Sequence, residues 1–285
     1  MILIFWLGCS LPTNKESLEL VCLLDNGQVF ESRFTKGDTG LYKGQAHLRA
    51  NRWSMQGTPM SFHLDVPPPV SEISKEGAVF WGQRLYMQND IWQVHIRSEE
   101  YNVSGQLPKS NSSIYLHAEE WNIDVLQPNG TIMGWSSAMG RSGLLKGNCA
   151  LFHRQGQAQL QDDRHTILAF GTDNYVGIEH NHLIQQSWGV INGQKMRDKQ
   201  IMLSTTPTHI EGSISEQSYQ FQPSTHLGQE DLYDHLTSVE RNIGSLVMSQ
   251  SNRHITYGTM TIQDVTLPAI HIYYGNKPFI LRKNE

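Results

Sequence analysis

The amino-acid sequence predicts an all-β protein, and three of its features lead to this prediction. Apolar and polar residues alternate over most of residues 18–210, as they do in half-buried strands. Turn-forming residues such as Asp25-Asn26-Gly27 interrupt the alternation roughly every eight to fifteen residues, a spacing typical of antiparallel sandwiches and barrels. Residues 121–135 read as two alternating strands around Gln127-Pro128-Asn129-Gly130, which predicts a β-hairpin because proline presets φ and Asn-Gly tolerates positive φ.

The first half of the chain contains a regular succession of predicted strands. A run of three prolines, Pro67-Pro68-Pro69, ends one of them because proline has no amide hydrogen to donate to a ladder. The predicted strands before the hairpin are residues 20–24, 29–34, 45–53, 61–66, 78–85, 91–97 and 113–119.

The second half repeats this texture, with turns at Gly171-Thr172-Asp173 and Ile191-Asn192-Gly193. We therefore expect two related antiparallel β-barrels or sandwiches, an N-terminal domain of residues 17–154 and a C-terminal domain of residues 155–285. The predicted strands of the second domain are residues 158–160, 165–170, 175–179, 183–191, 199–205, 209–213, 218–221, 254–262 and 269–274.

Residues 229–248 break the β pattern and predict one amphipathic helix near the C-terminus. Glu230 and Asp231 suit its first turn because carboxylates are favourable at the positive end of the helix dipole, whereas Gly244 weakens its last turn. The apolar residues that recur at helical spacing are Leu232, Leu236, Val239, Ile243 and Leu246.

Composition and charge exclude several classes of function. The 285 residues are 38% hydrophobic and 17% charged, as in ordered globular proteins. A formal net charge of -5 and the lack of a run of Lys and Arg argue against a nucleic-acid partner. The sequence contains no nucleophile elbow, phosphate-binding loop, dinucleotide fingerprint or zinc-protease motif. Adjacent carboxylates such as Glu119-Glu120 and Asp162-Asp163 alternate across a strand or lie in loops, so we expect them to be solvated.

The N-terminus leaves two interpretations open. Residues 1–8 are apolar and uncharged, and Leu7-Gly8-Cys9-Ser10 resembles the end of a bacterial lipoprotein signal. Acylation of Cys9 would make residues 1–16 a signal remnant and tether, anchor the protein to a membrane and place it in the cell envelope. The alternative is an ordinary first strand or a signal shortened by a misassigned start, because the basic start is missing and Trp6 replaces a small residue. A cytoplasmic protein would then be expected.

Cysteine usage predicts no disulfide framework. Cys9, Cys22 and Cys149 are too few and too scattered for one, or for a paired-cysteine zinc site. Cys22 lies in an apolar strand, so we expect it to act as a small buried hydrophobic residue.

The tryptophans are the candidate ligand-binding residues. Each one taken singly could pack in a core, but indoles spread over both halves predict that several line an apolar cavity, as in large barrels. The residues predicted to contact a ligand are Trp92, Trp121, Trp135, Trp188 and His153.

Thirteen histidines invite a metal interpretation, and Glu179-His180-Asn181-His182 is the best local candidate. His180 and His182 would share one face of a strand, but a zinc site needs a third ligand from elsewhere. We therefore expect no metal and no cofactor.

The order of several motifs resembles the lipocalin-like family that contains AttH-type proteins, carotenoid hydratases and the yeast survival factor. The matching motifs are Leu24-Asp25-Asn26-Gly27, Gly37-Asp38-Thr39-Gly40, the segment from Trp121 to Gly134-Trp135, Gly147-Asn148, Phe152-His153-Arg154-Gln155-Gly156 and Trp188-Gly189. This resemblance implies two lipocalin-like barrels and a hydrophobic small molecule of lipid or isoprenoid type.

The resemblance also implies where chemistry would occur. In enzymes of the family, acidic and histidine side chains near the second Trp-Gly carry out proton chemistry on a carbon skeleton. Here Gln185, Gln186 and Ser187 precede Trp188-Gly189 and supply neither an acid nor a base, a departure that favours binding over catalysis.

Three functional hypotheses follow. The leading one is non-catalytic binding of a hydrophobic small molecule, a lipid or isoprenoid. The second is a hydratase or cyclase that acts on an unsaturated chain through a carboxylic acid kept protonated by a dry pocket, with Glu179, His180 and Asp173 as candidate catalytic residues. The third is a carbohydrate-active β-sandwich whose exposed aromatic rings stack on sugars.

Overall fold

The computed structural model describes residues 14–39, 42–55, 59–118, 121–138, 141–157, 164–206, 208–231 and 252–275. These residues form β-strands joined by turns, with one short 3-10 turn at Pro68–Val70. No helix within these ranges is long and apolar enough to cross a membrane.

The first sheet contains twelve strands. They are β1 (Asn14–Leu24), β2 (Val29–Thr39), β3 (Tyr42–Trp53), β4 (Met60–Val66), β5 (Ser71–Ser74), β6 (Gly77–Phe80), β7 (Gln83–Gln88), β8 (Ile91–Arg97), β9 (Tyr101–Pro108), β10 (Ile114–His117), β11 (Trp121–Ala138) and β12 (Arg141–Gln157). Their order is β4-β3-β2-β1-β12-β11-β9-β8-β7-β6-β5, and β10 pairs with β11 outside this path.

This sheet curls into a nearly closed barrel. Its two end strands are β4 and β5, and β5 also contacts β1 and β2. Alternate residues of each strand point inward, so the interior is apolar. Phe34 and Phe80 meet edge to face there, with ring centroids 5.2 Å apart. The other large interior side chains include Phe30, Leu48, Trp92 and Tyr101.

The second sheet contains nine strands in the order β16-β15-β14-β13-β21-β20-β19-β18-β17. They are β13 (Arg164–Phe170), β14 (Tyr175–His180), β15 (Gln185–Ile191), β16 (Gln194–Asp198), β17 (Met202–Thr205), β18 (Ile210–Ile214), β19 (Gln217–Asp231), β20 (Asn252–Ile262) and β21 (Val265–Gly275). This sheet forms a half-barrel. Its inner face carries an apolar core that includes Ile167, Ile178, Phe221, Met260 and Ala269.

The outer face of the half-barrel packs against the outer face of the first barrel. Trp53, Trp121 and Phe152 of the first sheet join Trp188 and Ile272 of the second in one buried apolar cluster. The all-β prediction with two β units is therefore confirmed. The predicted domain boundary at residues 154 and 155 lies inside β12, which ends at Gln157.

The predicted hairpin at residues 121–135 is wrong, because these residues belong to one long strand. β11 runs antiparallel to β12 on both sides of the Gln127–Gly130 segment, with register shifts between Val125 and Gln127 and between Gln127 and Gly130. The Gln127 side chain fills this bulge by donating from Nε2 to the Asn129 carbonyl oxygen at 2.8 Å and accepting from the Ser110 amide at 2.5 Å. Turn residues thus make a bulge here, where long strand partners are present on both sides.

The predicted helix also fails at its first residues. Residues 229–231 end β19, where Gln229 pairs with His254 and Asp231 with Asn252. Their partners on β20 override the local helical preference. The rest of the predicted helix and Cys9 lie outside the described residues, as does the predicted signal and tether up to residue 13. Residues 14–16 of that predicted segment belong to β1 and pair with β12.

The expectation for the cysteines is half right. Cys22 is buried in the first barrel, but it lies directly opposite Cys149 on β12 and forms a disulfide with it. A separation of 127 residues along the chain conceals this pairing in the sequence.

Gly177 tests the packing of the two sheets. The Trp188 indole lies across Gly177 on the neighbouring strand, and a Cβ at Gly177 would overlap the indole ring. We expect Gly177→Ala to lower the free energy of unfolding in urea by about 1–3 kcal/mol, the usual range for overpacking. Gly143→Ala is the control, since its Cβ would contact only Arg52, at 3.4 Å. Equal losses in both variants would contradict this packing.

Candidate functional site

One end of the second sheet carries a different chemistry on each of its faces. Residues that follow one another in a strand point to opposite faces, so His165, His180, His254 and Tyr273 point inward while their neighbours Arg164, Glu179, Arg253 and Tyr274 point outward. We call the inward group the histidine–tyrosine cluster. Its members are His165, His180, His226, His254, His271 and Tyr273.

Strand register brings these side chains together. His165 lies opposite His180 on β14 and opposite Tyr273 on β21, and Tyr273 lies opposite His254 on β20. Residues that face one another across a ladder have side chains in contact range. Four strands and the bulged end of β19 therefore contribute to one cluster.

The imidazole rings form a stacked and hydrogen-bonded group. The His165 and His271 rings are nearly parallel, with centroids 5.2 Å apart, and His165 Nδ1 lies 3.0 Å from His271 Nε2. One of these nitrogens must donate and the other accept, so at least one ring of the pair is neutral or shares its proton. The Tyr273 ring is centred 4.9 Å from the His165 ring and 6.0 Å from the His254 ring.

Burial keeps several of these imidazoles uncharged. Loss of hydration lowers the pKa of His271 well below 6.5, and the neighbouring His165 and His254 lower it further. Burial also lowers the pKa of His254, and His226 adds to that effect. The pKa of His180 is lowered by burial alone. At neutral pH these rings are bases that can accept a proton.

His254 has the most unusual environment. Only 2% of its surface is exposed, and neither of its ring nitrogens has a hydrogen-bond partner within the described part of the chain. Buried polar atoms in proteins are nearly always paired with protein, water or ligand. The hydrogen-bonding capacity of His254 is therefore unused among the described residues.

The cluster lies beside the apolar core of the half-barrel. The Phe221 ring is centred 5.6 Å from the His271 ring. His165 and His271 continue the inward faces of β13 and β21, whose deeper residues include Ile167 and Ala269. Uncharged bases therefore lie beside an apolar surface inside the half-barrel.

A network of buried charges covers the same end of the outer face. Arg154 of the first sheet donates to Glu179 Oε1 at 2.5 Å and to Glu19 Oε2 at 3.1 Å, and Thr166 donates to Glu179 Oε1 at 2.8 Å. Burial alone would raise the pKa of Glu19, but Arg154 and other nearby arginines outweigh it and lower the pKa to about 2.

The network continues across the interface through two further acids. Glu230 accepts from Arg49 at 2.7 Å and from Arg33 at 3.0 Å. These arginines outweigh the effect of burial and lower its pKa to about 2. Glu31 accepts from Arg253 at 2.6 Å and from Asn51 at 2.9 Å. We call this group the interface charge network. Its charged members are Glu19, Glu31, Arg33, Arg49, Arg154, Glu179, Glu230 and Arg253.

The three candidate catalytic residues do not meet. Glu179 and His180 are neighbours on β14, so they point to opposite faces, and Glu179 is bonded to Arg154. Asp173 is exposed in the turn that joins β13 to β14, at the far end of β14 from His180. His182, from the candidate metal motif, lies in the bend after β14 and is exposed.

The predicted ligand-binding residues occupy three separate places. Trp121 and Trp188 meet in the apolar interface, where Trp188 packs edge to face on Phe152 with centroids 6.0 Å apart. Trp92 is inside the first barrel, and Trp135 is 47% exposed on β11. His153 is buried, with its Nε2 2.8 Å from Glu16 Oε1. The described tryptophans therefore pack in cores or face solvent.

An open pocket of about 530 Å³ lies elsewhere, on the first barrel. Lys36, Glu72, Ile73, Val79 and Tyr86 are among its lining residues. None of the predicted ligand-binding residues lines it.

Comparison with known proteins supports the fold. No family model and no curated protein matches the sequence. An AttH protein from Nitrosomonas europaea superposes with a TM-score of 0.67 and 8% identity, covering 93% of this chain and 92% of that chain. The chain has the AttH-like, lipocalin-like barrel fold, with a nearly closed barrel and a half-barrel.

Two further solved structures share this fold. CghA in complex with Sch210972 superposes with a TM-score of 0.62 and 9% identity over 92% of this chain and 88% of its own. Kievitone hydratase from Nectria haematococca superposes with a TM-score of 0.55 and 7% identity, covering 91% of this chain and 87% of its own. The lipocalin-like resemblance predicted from sequence is thus confirmed at the level of the fold.

Sequence reasoning missed the histidine–tyrosine cluster. Its members are scattered between residues 165 and 273, and strand pairing alone brings them together. A detectable signal was present in β21, where His271 and Tyr273 share the alternation of the inward apolar residues Leu267 and Ala269.

Acidification tests the protonation state of the cluster. Unfolding returns these histidines to an ordinary pKa of 6.5, so the unfolded chain takes up more protons than the folded chain below that pH. We expect the free energy of unfolding to fall between about pH 6.5 and pH 5, by up to about 1.4 kcal/mol per pH unit for each neutral histidine. His271→Gln should make this slope shallower in urea titrations. A free energy of unfolding that is constant or rises on acidification would contradict the assignment.

Proposed function

We propose that this protein binds a hydrophobic, unsaturated small molecule against the histidine–tyrosine cluster and catalyses a hydratase-type addition or elimination of water. The observation that carries the proposal is the buried His254 ring, whose two nitrogens have no hydrogen-bond partner among the described residues. An uncharged imidazole in a dry site is a suitable general base.

The reaction needs one base and one acid. In hydration, the oxygen of water bonds to one carbon of the double bond, a base takes a proton from that water, and an acid delivers a proton to the other carbon. In this proposal His254 acts as the base, and the lowered pKa that burial gives it supports this role because the ring is then uncharged at neutral pH. Tyr273, whose ring is centred 6.0 Å from His254, donates the proton. The hydrogen-bonded His165 and His271 rings can transfer a proton from one ring to the other.

The surroundings suit an apolar substrate. The inward face beyond the cluster consists of aliphatic and aromatic side chains, including Ile167 and Phe221. Apolar surface supplies most of the binding free energy for a lipid or isoprenoid. Kievitone hydratase has the same fold, so this architecture can carry a hydratase.

Non-catalytic binding of the same hydrophobic molecule is the second candidate. It is favoured by the Arg154 ion pair at Glu179 and by the missing acid before Trp188-Gly189. A carbohydrate site has less support, because the exposed Trp81 and Trp135 lie in a turn after β6 and on β11, two elements that are not neighbours in the sheet.

Turnover in oxygen-18 water separates these candidates. The purified protein is incubated with a panel of unsaturated fatty acids and isoprenoids, and products are examined by mass spectrometry for a labelled hydroxyl group. We expect His254→Gln to lower the rate by about 100-fold or more, the usual share of a general base, while affinity measured by calorimetry changes little.

His209→Gln is the matched control, because His209 lies outside the cluster and interacts with Glu211 near the surface. Saturable binding without labelled product would favour the non-catalytic function. Absence of binding to every compound would contradict both. An undiminished rate in His254→Gln would remove His254 from the reaction.

A further inference from the structure

Two histidines and an aspartate lie together on the outward face of the first barrel, apart from the histidine–tyrosine cluster. His47 on β3 pairs directly with Asp65 on β4. His63 precedes Asp65 by two positions, so the alternation of the strand directs both to the same side. Ladder geometry alone therefore brings these three side chains into one group.

The three side chains are already in contact. His47 Nδ1 lies 2.6 Å from Asp65 Oδ1, and His63 Nε2 lies 2.9 Å from the same oxygen. Their candidate ligand atoms all lie within 4.8 Å of one another. A tetrahedral zinc ion with bonds of about 2.0–2.2 Å holds its ligand atoms about 3.4 Å apart, which small side-chain rotations would reach here.

From this geometry we propose that His47, His63 and Asp65 bind a first-row divalent transition-metal cation, for which Zn²⁺ is the natural test. Each ring can present a lone pair to the cation by moving its proton to the other nitrogen, so binding requires no charged imidazole. The proposal departs from the sequence-based expectation of no metal.

The donor set selects a class of metal. Two imidazole nitrogens and one carboxylate oxygen suit Zn²⁺, Cu²⁺ or Ni²⁺, whereas Mg²⁺ and Ca²⁺ prefer oxygen ligands alone. The side chains of His47, His63 and Asp65 are 16%, 31% and 55% exposed. This exposure lets a cation enter and leaves room for water as a fourth ligand.

Other acid–histidine contacts in the described ranges are looser or contain a single imidazole. Asp124 lies 3.7 Å from His117 Nε2 and 3.6 Å from His153 Nδ1, but its closest partner is Lys75 at 2.7 Å. His209 interacts with Glu211 at 3.0 Å, and His153 lies near Glu16 and Asp124. Within the described part of the chain, three mutually close ligand residues occur only at His47, His63 and Asp65.

The position of the site suggests what the metal would do. β4 is an end strand of the first sheet, and a cation shared by His47, His63 and Asp65 would link it to β3. Arg49 lies directly opposite His63, but its charge is matched by Glu230 at 2.7 Å. The cation would therefore not face an uncompensated arginine.

Zinc titration of the metal-free full-length protein tests this proposal. After treatment with a chelator and its removal, we expect calorimetry to show saturable binding of one Zn²⁺ per chain, and the melting temperature to rise with Zn²⁺ because only the folded state holds the site. Cobalt(II) bound in place of zinc should absorb visible light with the high intensity that is typical of four-coordinate Co(II).

His63→Ala and Asp65→Asn should each weaken zinc binding by about tenfold or more. Loss of a residue that only supports a metal ligand already lowers affinity by about that factor, and loss of a ligand should lower it at least as much. His209→Ala is the matched control and should bind as the wild type does. Circular dichroism of each variant verifies that it is folded. Absence of saturable binding would overturn the proposal, as would binding that survives both substitutions or that is lost instead in His271→Ala.

Discussion

The structure depends on a set of buried charges that are paired across the two sheets. Arg154 of the first sheet pairs with Glu179 of the second, and Arg253 of the second pairs with Glu31 of the first. An isolated charge is very costly to bury, so these pairs favour one position of the barrel relative to the half-barrel.

This constraint reaches the candidate site through the geometry of the strand. Fixing Glu179 and Arg253 on the outer face obliges His180 and His254 to lie on the inner face. The interface charge network thus orients the histidine–tyrosine cluster from the other side of the same sheet. Buried ion pairs often add little net stability, and the indoles and Phe152 of the interface supply the apolar burial that binds the sheets together. We interpret the charges as setting position and the indoles as supplying stability.

The sequence predicted the parts of this architecture that local patterns encode. Period-two alternation and turn residues predicted an all-β chain with two units, and the order of motifs predicted the AttH-like fold. The turn residues at Gln127–Gly130 led to the wrong prediction of a hairpin. The same residues form a bulge here because β11 pairs with β12 both before and after them. The Cys22–Cys149 bond, the Arg154–Glu179 pair and the cluster join residues far apart in the chain. No local pattern carries such pairings.

A double-mutant cycle on Arg154 and Glu179 tests the central claim most directly. Both side chains are almost fully buried. Removing either partner alone, as in Arg154→Met or Glu179→Leu, should lower the free energy of unfolding by about 3 kcal/mol, the low end of the range for a broken buried pair, because Arg154 would keep only Glu19 and Glu179 only Thr166 and the more distant Arg164. The double variant should be destabilised by clearly less than the sum of the two. Effects that add within about 0.5 kcal/mol would mean that the two charges are not coupled across the interface, and would contradict this account.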